Sequence, residues 1–202
     1  PFVMAEGHSV TGLHAAIARS GVLVGDWMPP PLMLYLAPTM LVAIAVAFSP
    51  LGRRLATLPL GVLVGLQAFR LPLEMVLHGL PDSGTLPVQM PWSGLNFDVV
   101  TSATAAALGL LALRRPLPSW LVWAWNVMGS ALLLIVVGIA ITSAPTPLRQ
   151  FTEGRPVVLA FHVPFNWIAN VHVWTALAGH IIVFRALVAQ RRRVPSPVHA
   201  VA

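Results

Sequence analysis

Five long apolar runs divide the chain, at about Leu32 to Phe48, Ala56 to Leu80, Phe97 to Leu113, Trp120 to Ile141 and Val157 to Val188. A hydrocarbon core of ~30 Å takes about 20 helical residues, within a range of ~17–25. Four runs fit that range or need a residue or two of flank. The last is long enough to hold an interfacial segment before its membrane helix, with Pro164 near the outer end. Spanning β-strands would alternate apolar and polar residues with a period of two. These runs are continuous, so helices are predicted. A water-soluble fold is set aside because charged residues make up only 9% of the chain, against roughly a quarter in soluble domains.

The fold class expected is therefore all-α, a polytopic transmembrane bundle. Its helix count is five or six because His8 to Gly25 is ambiguous. That stretch carries His8, His14 and Arg19, and reads either as the second half of a membrane helix or as an interfacial helix lying flat. The expected organisation is an N-terminal interfacial or truncated transmembrane helix over 1–25, the helical bundle over 26–190 and a tail over 191–202. The chain opens on Pro1 and not on Met, so residues upstream are expected. Glu6, His8, His14 and Arg19 do not suit the uncharged core of a signal peptide.

Charge placement sets the orientation. All 12 basic residues are arginine. Arg53, Arg54, Arg114, Arg115, Arg191, Arg192 and Arg193 fall on one side of an alternating topology, while the loops over 81–96 and 144–156 carry only Arg149 and Arg155. Positive residues favour the cytoplasmic side, so the C-terminus is expected there and the two longer loops outside. The net charge of +6 orients the protein and does not call for nucleic acid. Arginine without lysine, with abundant Ala, Pro and Leu, is a high-GC composition; a bacterial inner membrane is the expected location. The absence of cysteine excludes disulfides, thiolate metal sites and cysteine nucleophiles.

Polar residues inside the second run are the main functional signal. Gln67, Arg70, Glu74 and His78 are spaced by three, four and four, which puts them on one helical face. A charge at the membrane centre costs ~2.5–3.5 kcal/mol on insertion scales, so this stripe must face the bundle interior or a watery cavity. Two readings stay open. Arg70 and Glu74, four apart, can pair directly as a structural ion pair, or they line a binding site. Pro72 interrupts the same run and leaves the carbonyl of Ala68 needing another partner. Candidate neighbours from the outward side are Asn96 and Asp98 at the start of the third run and His162 and Asn166 in the last. Asp98 also reads as an ordinary helix-dipole partner.

His172 and His180 lie about 80° apart on a helix and form no tight metal pair. His78 and His172 match poorly in depth as haem ligands. No metal site or cofactor is assigned. Trp123 and Trp125 read as interfacial anchors or packing, and Asn126 as an interhelical hydrogen bond. Ser102, Ala103, Ala106 and Ala107 read as a close-approach surface.

Gln67-x-x-Arg70-x-x-x-Glu74, Pro87-Val88-Gln89-Met90, Asn96-Phe97-Asp98, Trp125-Asn126 and Ala144-Pro145-Thr146-Pro147 together resemble a group of small multipass bacterial membrane proteins, over roughly Leu32 to Leu187. The resemblance implies topology and site location and carries no activity. In that group an acidic and a basic residue are expected around the loop glycine. Ser93 and Leu95 stand there beside Gly94, which weakens a charged catalytic role for the outer loop.

The function expected is an outward-facing intramembrane polar site of Gln67, Arg70, Glu74, His78, Asn96, Asp98, His162 and Asn166, binding or transporting a small solute or ion. The alternatives are an accessory subunit of a membrane complex and, second, a membrane-embedded enzyme. Without a serine or cysteine nucleophile motif or a diagnostic metal motif, the enzyme reading is the weaker. Expected partners are the bilayer, a small solute or ion, and a membrane protein; nucleic acid is not among them.

Overall fold

The computed structural model describes residues 10–23, 25, 27–79, 86–162 and 165–193. The fold is all-helical, with no strand among the described residues. The elements are α1 (Val10–Arg19), α2 (Pro31–Phe48), α3 (Pro50–Leu55), α4 (Leu60–Leu66), α5 (Leu71–Gly79), α6 (Asp98–Ala112), α7 (Ser119–Ser143) and α8 (Val173–Arg193). A 3₁₀ turn, Gln67–Arg70, joins α4 to α5, and a π turn, Ile168–His172, leads into α8. Four stretches are long and apolar enough to cross a membrane: Pro31–Phe48, Leu60–Gly79, Ser119–Ser143 and Ile168–Arg192. Of the N-terminal segment, the described part is the ten-residue α1. Its Ile17 packs against a cluster that includes Leu23, Leu32 and Phe161. His8 lies outside the described residues.

The third run is shorter than expected. α6 has 15 residues, or about 22 Å at 1.5 Å per residue, less than the ~30 Å core. The cause lies just before it. Pro87 and Pro91 interrupt helical hydrogen bonding, and the segment folds back through bonds from Leu95 N–H to Gln89 O (3.0 Å) and Gly94 N–H to Pro91 O (2.9 Å). A side chain at Gly94 would run into the Val88 carbonyl. Asn96, two residues before the first residue of α6, accepts the Asp98 N–H on its Oδ1 at 3.0 Å, an Asx turn that satisfies one of the helix's free donors.

Pro72 has the consequence its position implies. It has no N–H to give the Ala68 carbonyl, four residues back. The backbone tightens to 3₁₀ over Gln67–Arg70, and the Leu71 N–H donates to Ala68 O instead. The orphaned carbonyl is thereby paired inside an apolar span, where an unsatisfied group costs several kcal/mol.

α4 and α6 run antiparallel in close contact. Gly65 faces Gly109, and Gly61 faces Ala112. These small residues, and not the expected Ala103 and Ala107, which are exposed, let the two backbones approach. The main core lies between α4, α6, α7 and α8, around Val64, Ala105, Val122 and Val183. α2 and α7 each pack on α8, without comparable packing on each other. A gap is left between them.

A Cβ at Gly109 would stand 2.7 Å from the Gly65 Cα, whereas one at Gly138 meets nothing within 4 Å. Gly109→Val should therefore destabilise by about 1–3 kcal/mol through overpacking, and Gly138→Ala should not. Thermal unfolding in detergent checks the pair.

Candidate functional site

The stripe on the second span is buried: Gln67 and Arg70 are each 3% exposed, and Glu74 is 5% exposed. Arg70 does not pair with Glu74 as the four-residue spacing suggested. Its Nη1 donates to both carboxylate oxygens of Asp98, at 3.2 and 3.0 Å. A 3₁₀ turn winds at about 120° per residue in place of 100°, so the turn carrying Arg70 is rotated relative to the α-helical register that would stack it over Glu74. Asp98, 3% exposed, waits at the first residue of α6, where the positive end of the helix dipole also favours an anion.

Glu74 reaches the same group through Asn96. The Asn96 Nδ2 donates to Glu74 Oε2 at 3.1 Å while its Oδ1 holds the Asp98 N–H. One amide thus fixes a carboxylate from α5 and the start of α6 together.

On the other side of Arg70 stands His180 of α8. Arg70 Nη2 and His180 Nε2 are 3.5 Å apart. His180 Nδ1 and Asn126 Oδ1 are 2.7 Å apart, and Asn126 Nδ2 donates to the His180 carbonyl at 3.1 Å. That second bond fixes the orientation of the Asn126 amide, so its Oδ1 accepts from Nδ1–H. Nε2 is then left bare, with its lone pair towards the guanidinium. The imidazole is neutral in this arrangement and adds no second positive charge. Room for the ring comes from Gly129, where a Cβ would lie 2.7 Å from His180 Cε1. Gly179 similarly admits Gln67, whose Nε2 lies against it.

The buried chain is therefore Glu74, Asn96, Asp98, Arg70, His180 and Asn126, drawn from the 3₁₀ turn, α5, the loop before α6, α6, α7 and α8. Sequence reasoning treated Asn126 as an interhelical bond and His180 as a lone histidine. Their polarity within apolar spans was the available signal; their junction with Arg70 is tertiary. Four expected members stand outside this chain: Gln67, which lies against Gly179, and three more. His78 is half-buried and stacks on Trp92, with ring centroids 4.1 Å apart and planes at 17°. His162 is exposed and outside the hydrogen-bonded group. Asn166 is buried at 1% exposure but belongs to another polar group: its carbonyl accepts from Asn170 Nδ2 (3.1 Å), and Asn170 Oδ1 lies 3.3 Å from the Thr39 hydroxyl of α2. Among the described residues, no three His, Asp or Glu side chains are grouped to hold a metal ion.

The chain of polar groups meets a cleft of about 500 Å³ between α2, α5, α7 and α8. Its walls are apolar, with Leu36, Met40, Leu77, Leu133 and Leu177 among them, while Arg70, Glu74, Asn96 and Asp98 supply most of its polar lining. Leu134 on the α7 side of the cleft is 64% exposed on the outer surface of the bundle. The α2 and α7 walls of the cleft do not pack on each other.

No protein-family model, curated protein or solved structure matches the chain.

The geometry separates the two acidic residues. Asp98→Asn removes the carboxylate that Arg70 Nη1 bonds directly, and should destabilise by about 3–5 kcal/mol. Glu74→Gln keeps an oxygen for Asn96 to donate to and should cost less than ~1.5 kcal/mol. Detergent thermal unfolding of the two purified variants measures the contrast.

Proposed function

We propose that this chain is a polytopic membrane protein that binds a small lipophilic molecule taken laterally from the bilayer, its polar head meeting the Arg70–Asp98 and Glu74–Asn96 groups. The observation that carries this reading is the cleft itself: about 500 Å³, walled by aliphatic side chains and edged by one buried polar cluster. That volume falls in the ~300–1,000 Å³ range of sites for drug-sized molecules, which are mostly apolar with a few placed polar groups. A fully hydrated ion would gain little from such walls. The gap between α2 and α7 suits a ligand that arrives dissolved in lipid.

For topology we propose five crossings, counting α6 as the fifth, with the C-terminus in the cytoplasm of a bacterium and the chain in the inner membrane. The exposed Arg53, Arg54, Arg114, Arg115, Arg191 and Arg192 then share the cytoplasmic side, as positive residues do. The chain has no cysteine, so single introduced cysteines report sidedness without background. Ser93→Cys should react with a membrane-impermeant maleimide in intact cells, and Arg192→Cys only after permeabilisation. The reverse pattern would invert the topology.

The binding reading is tested by filling the cleft. Ala140 of α7 lines it, and Ala140→Trp should leave a folded protein that loses most of its solvent-extractable lipophile, read by mass spectrometry of purified wild type and variant. If both carry the same lipids and one fixed protein partner co-purifies instead, the accessory-subunit alternative takes its place.

A further inference from the structure

Two backbone irregularities meet beside the cleft. The 3₁₀ turn Gln67–Arg70 carries Phe69, whose ring lies 5.7 Å from that of His172, the last residue of the π turn. Arg70 and His172 thus stand on neighbouring turns, and both line the cleft. Such local departures from α-helix occur often at functional sites.

Each of these side chains also holds a buried nitrogen with no hydrogen-bond partner among the described residues: Nε of Arg70 and Nδ1 of His172. Arg70 is 3% exposed, and its Nε always bears a hydrogen. Its Nη1 hydrogens are directed to Asp98 and its Nη2 to His180, so Nε–H is the donor left over. A neutral imidazole has one N–H and can present it at Nδ1. In an apolar span, an unanswered donor is costly. With the likewise unpartnered Nε1–H of Trp174, which lines the same cleft, three such donors point to a ligand with acceptor oxygens.

Charge narrows the class further. One guanidinium faces two carboxyl groups, Asp98 and Glu74, so no surplus positive charge is left for an anionic head. A cationic head fits poorly too, because an ammonium brings no acceptor oxygen to the unpartnered Nε of Arg70 and Nδ1 of His172. We infer that the occupant is a neutral carbonyl-bearing lipophile of the quinone class, its carbonyl oxygen accepting from Arg70 Nε–H and His172 Nδ1–H and its ring and chain lying along the aliphatic walls. This rests on the lateral-binding reading above and adds the chemistry of the head.

Trp174 also lines the cleft, and quinones quench indole fluorescence, so binding can be read directly. The full chain in detergent is titrated with a benzoquinone bearing a decyl chain, and separately challenged with decyltrimethylammonium. The expected result is saturable quenching that Trp174→Phe largely removes. Kd should weaken at least tenfold in His172→Phe, which keeps the ring contact with Phe69, and the ammonium amphiphile should not compete. Arg70→Lys, which keeps a cation for Asp98 but has no Nε–H, is the second variant and should weaken binding to a similar degree. If both amphiphiles occupy the cleft equally, or quenching is unchanged in folded His172→Phe and Arg70→Lys, the head assignment is overturned while the cleft remains a lipophile site. If neither amphiphile binds and Ala140→Trp changes nothing, the lateral-binding reading itself fails and takes this inference with it.

Discussion

A guanidinium in the middle of an apolar span must be neutralised by its neighbours, and this requirement organises the bundle. Arg70 lies on a stretch long and apolar enough to cross a membrane, and its charge has to find an anion inside the protein. Asp98 supplies it from the N-terminus of α6, with both carboxylate oxygens within 3.2 Å. The anion is held three ways, by the guanidinium, by the helix dipole and by the Asx turn of Asn96 on its backbone N–H. An isolated buried ion pair is weak evidence of stability, because desolvation offsets much of the attraction. Here the pair is one link in a longer chain of hydrogen-bonded polar groups, which couples α5, α6, α7 and α8.

The fold's irregular features serve the same arrangement. Pro72 forces a 3₁₀ turn, which pairs the Ala68 carbonyl and turns Arg70 away from Glu74. The short α6 begins inside the span because the proline- and glycine-bearing segment before it folds back, and that early start puts Asp98 within reach. Gly129 and Gly179 admit His180 and Gln67 where larger residues would collide. What remains is the gap between α2 and α7, whose walls are aliphatic except where the polar cluster closes it. The proposed occupancy follows from this contrast of lipid-like walls and a compact polar edge.

Much of this was legible in the sequence and some was not, for physical reasons. Apolar run length marks the four long apolar stretches, because length and apolarity belong to consecutive residues. Burial of Gln67, Arg70 and Glu74 follows from insertion cost, and the disturbance at Ala68 from the missing Pro72 amide. The partner of Arg70 was misjudged: the spacing to Glu74 assumes continuous α-helix, and Pro72 breaks that assumption one turn too near. His162 and His78 looked convergent because outward-side residues were taken to share one vestibule, whereas stacking on Trp92 holds His78 aside. Asn166 precedes the π turn and joins a polar group that reaches α2 through Asn170 and Thr39. The role of His180 depends on Gly129 and Asn126 in another helix, and no periodicity within one segment encodes that.

The dependence of the site on its buried pair is measured most directly by a double-mutant cycle in detergent, with Arg70→Met, Asp98→Leu and the combined variant. Each single change strands a buried partner, so each should lower unfolding free energy by about 3–5 kcal/mol. The double variant should lose far less than the sum, with a coupling of roughly 2 kcal/mol or more. Additive losses, with the double variant as unstable as both singles together, would contradict the account.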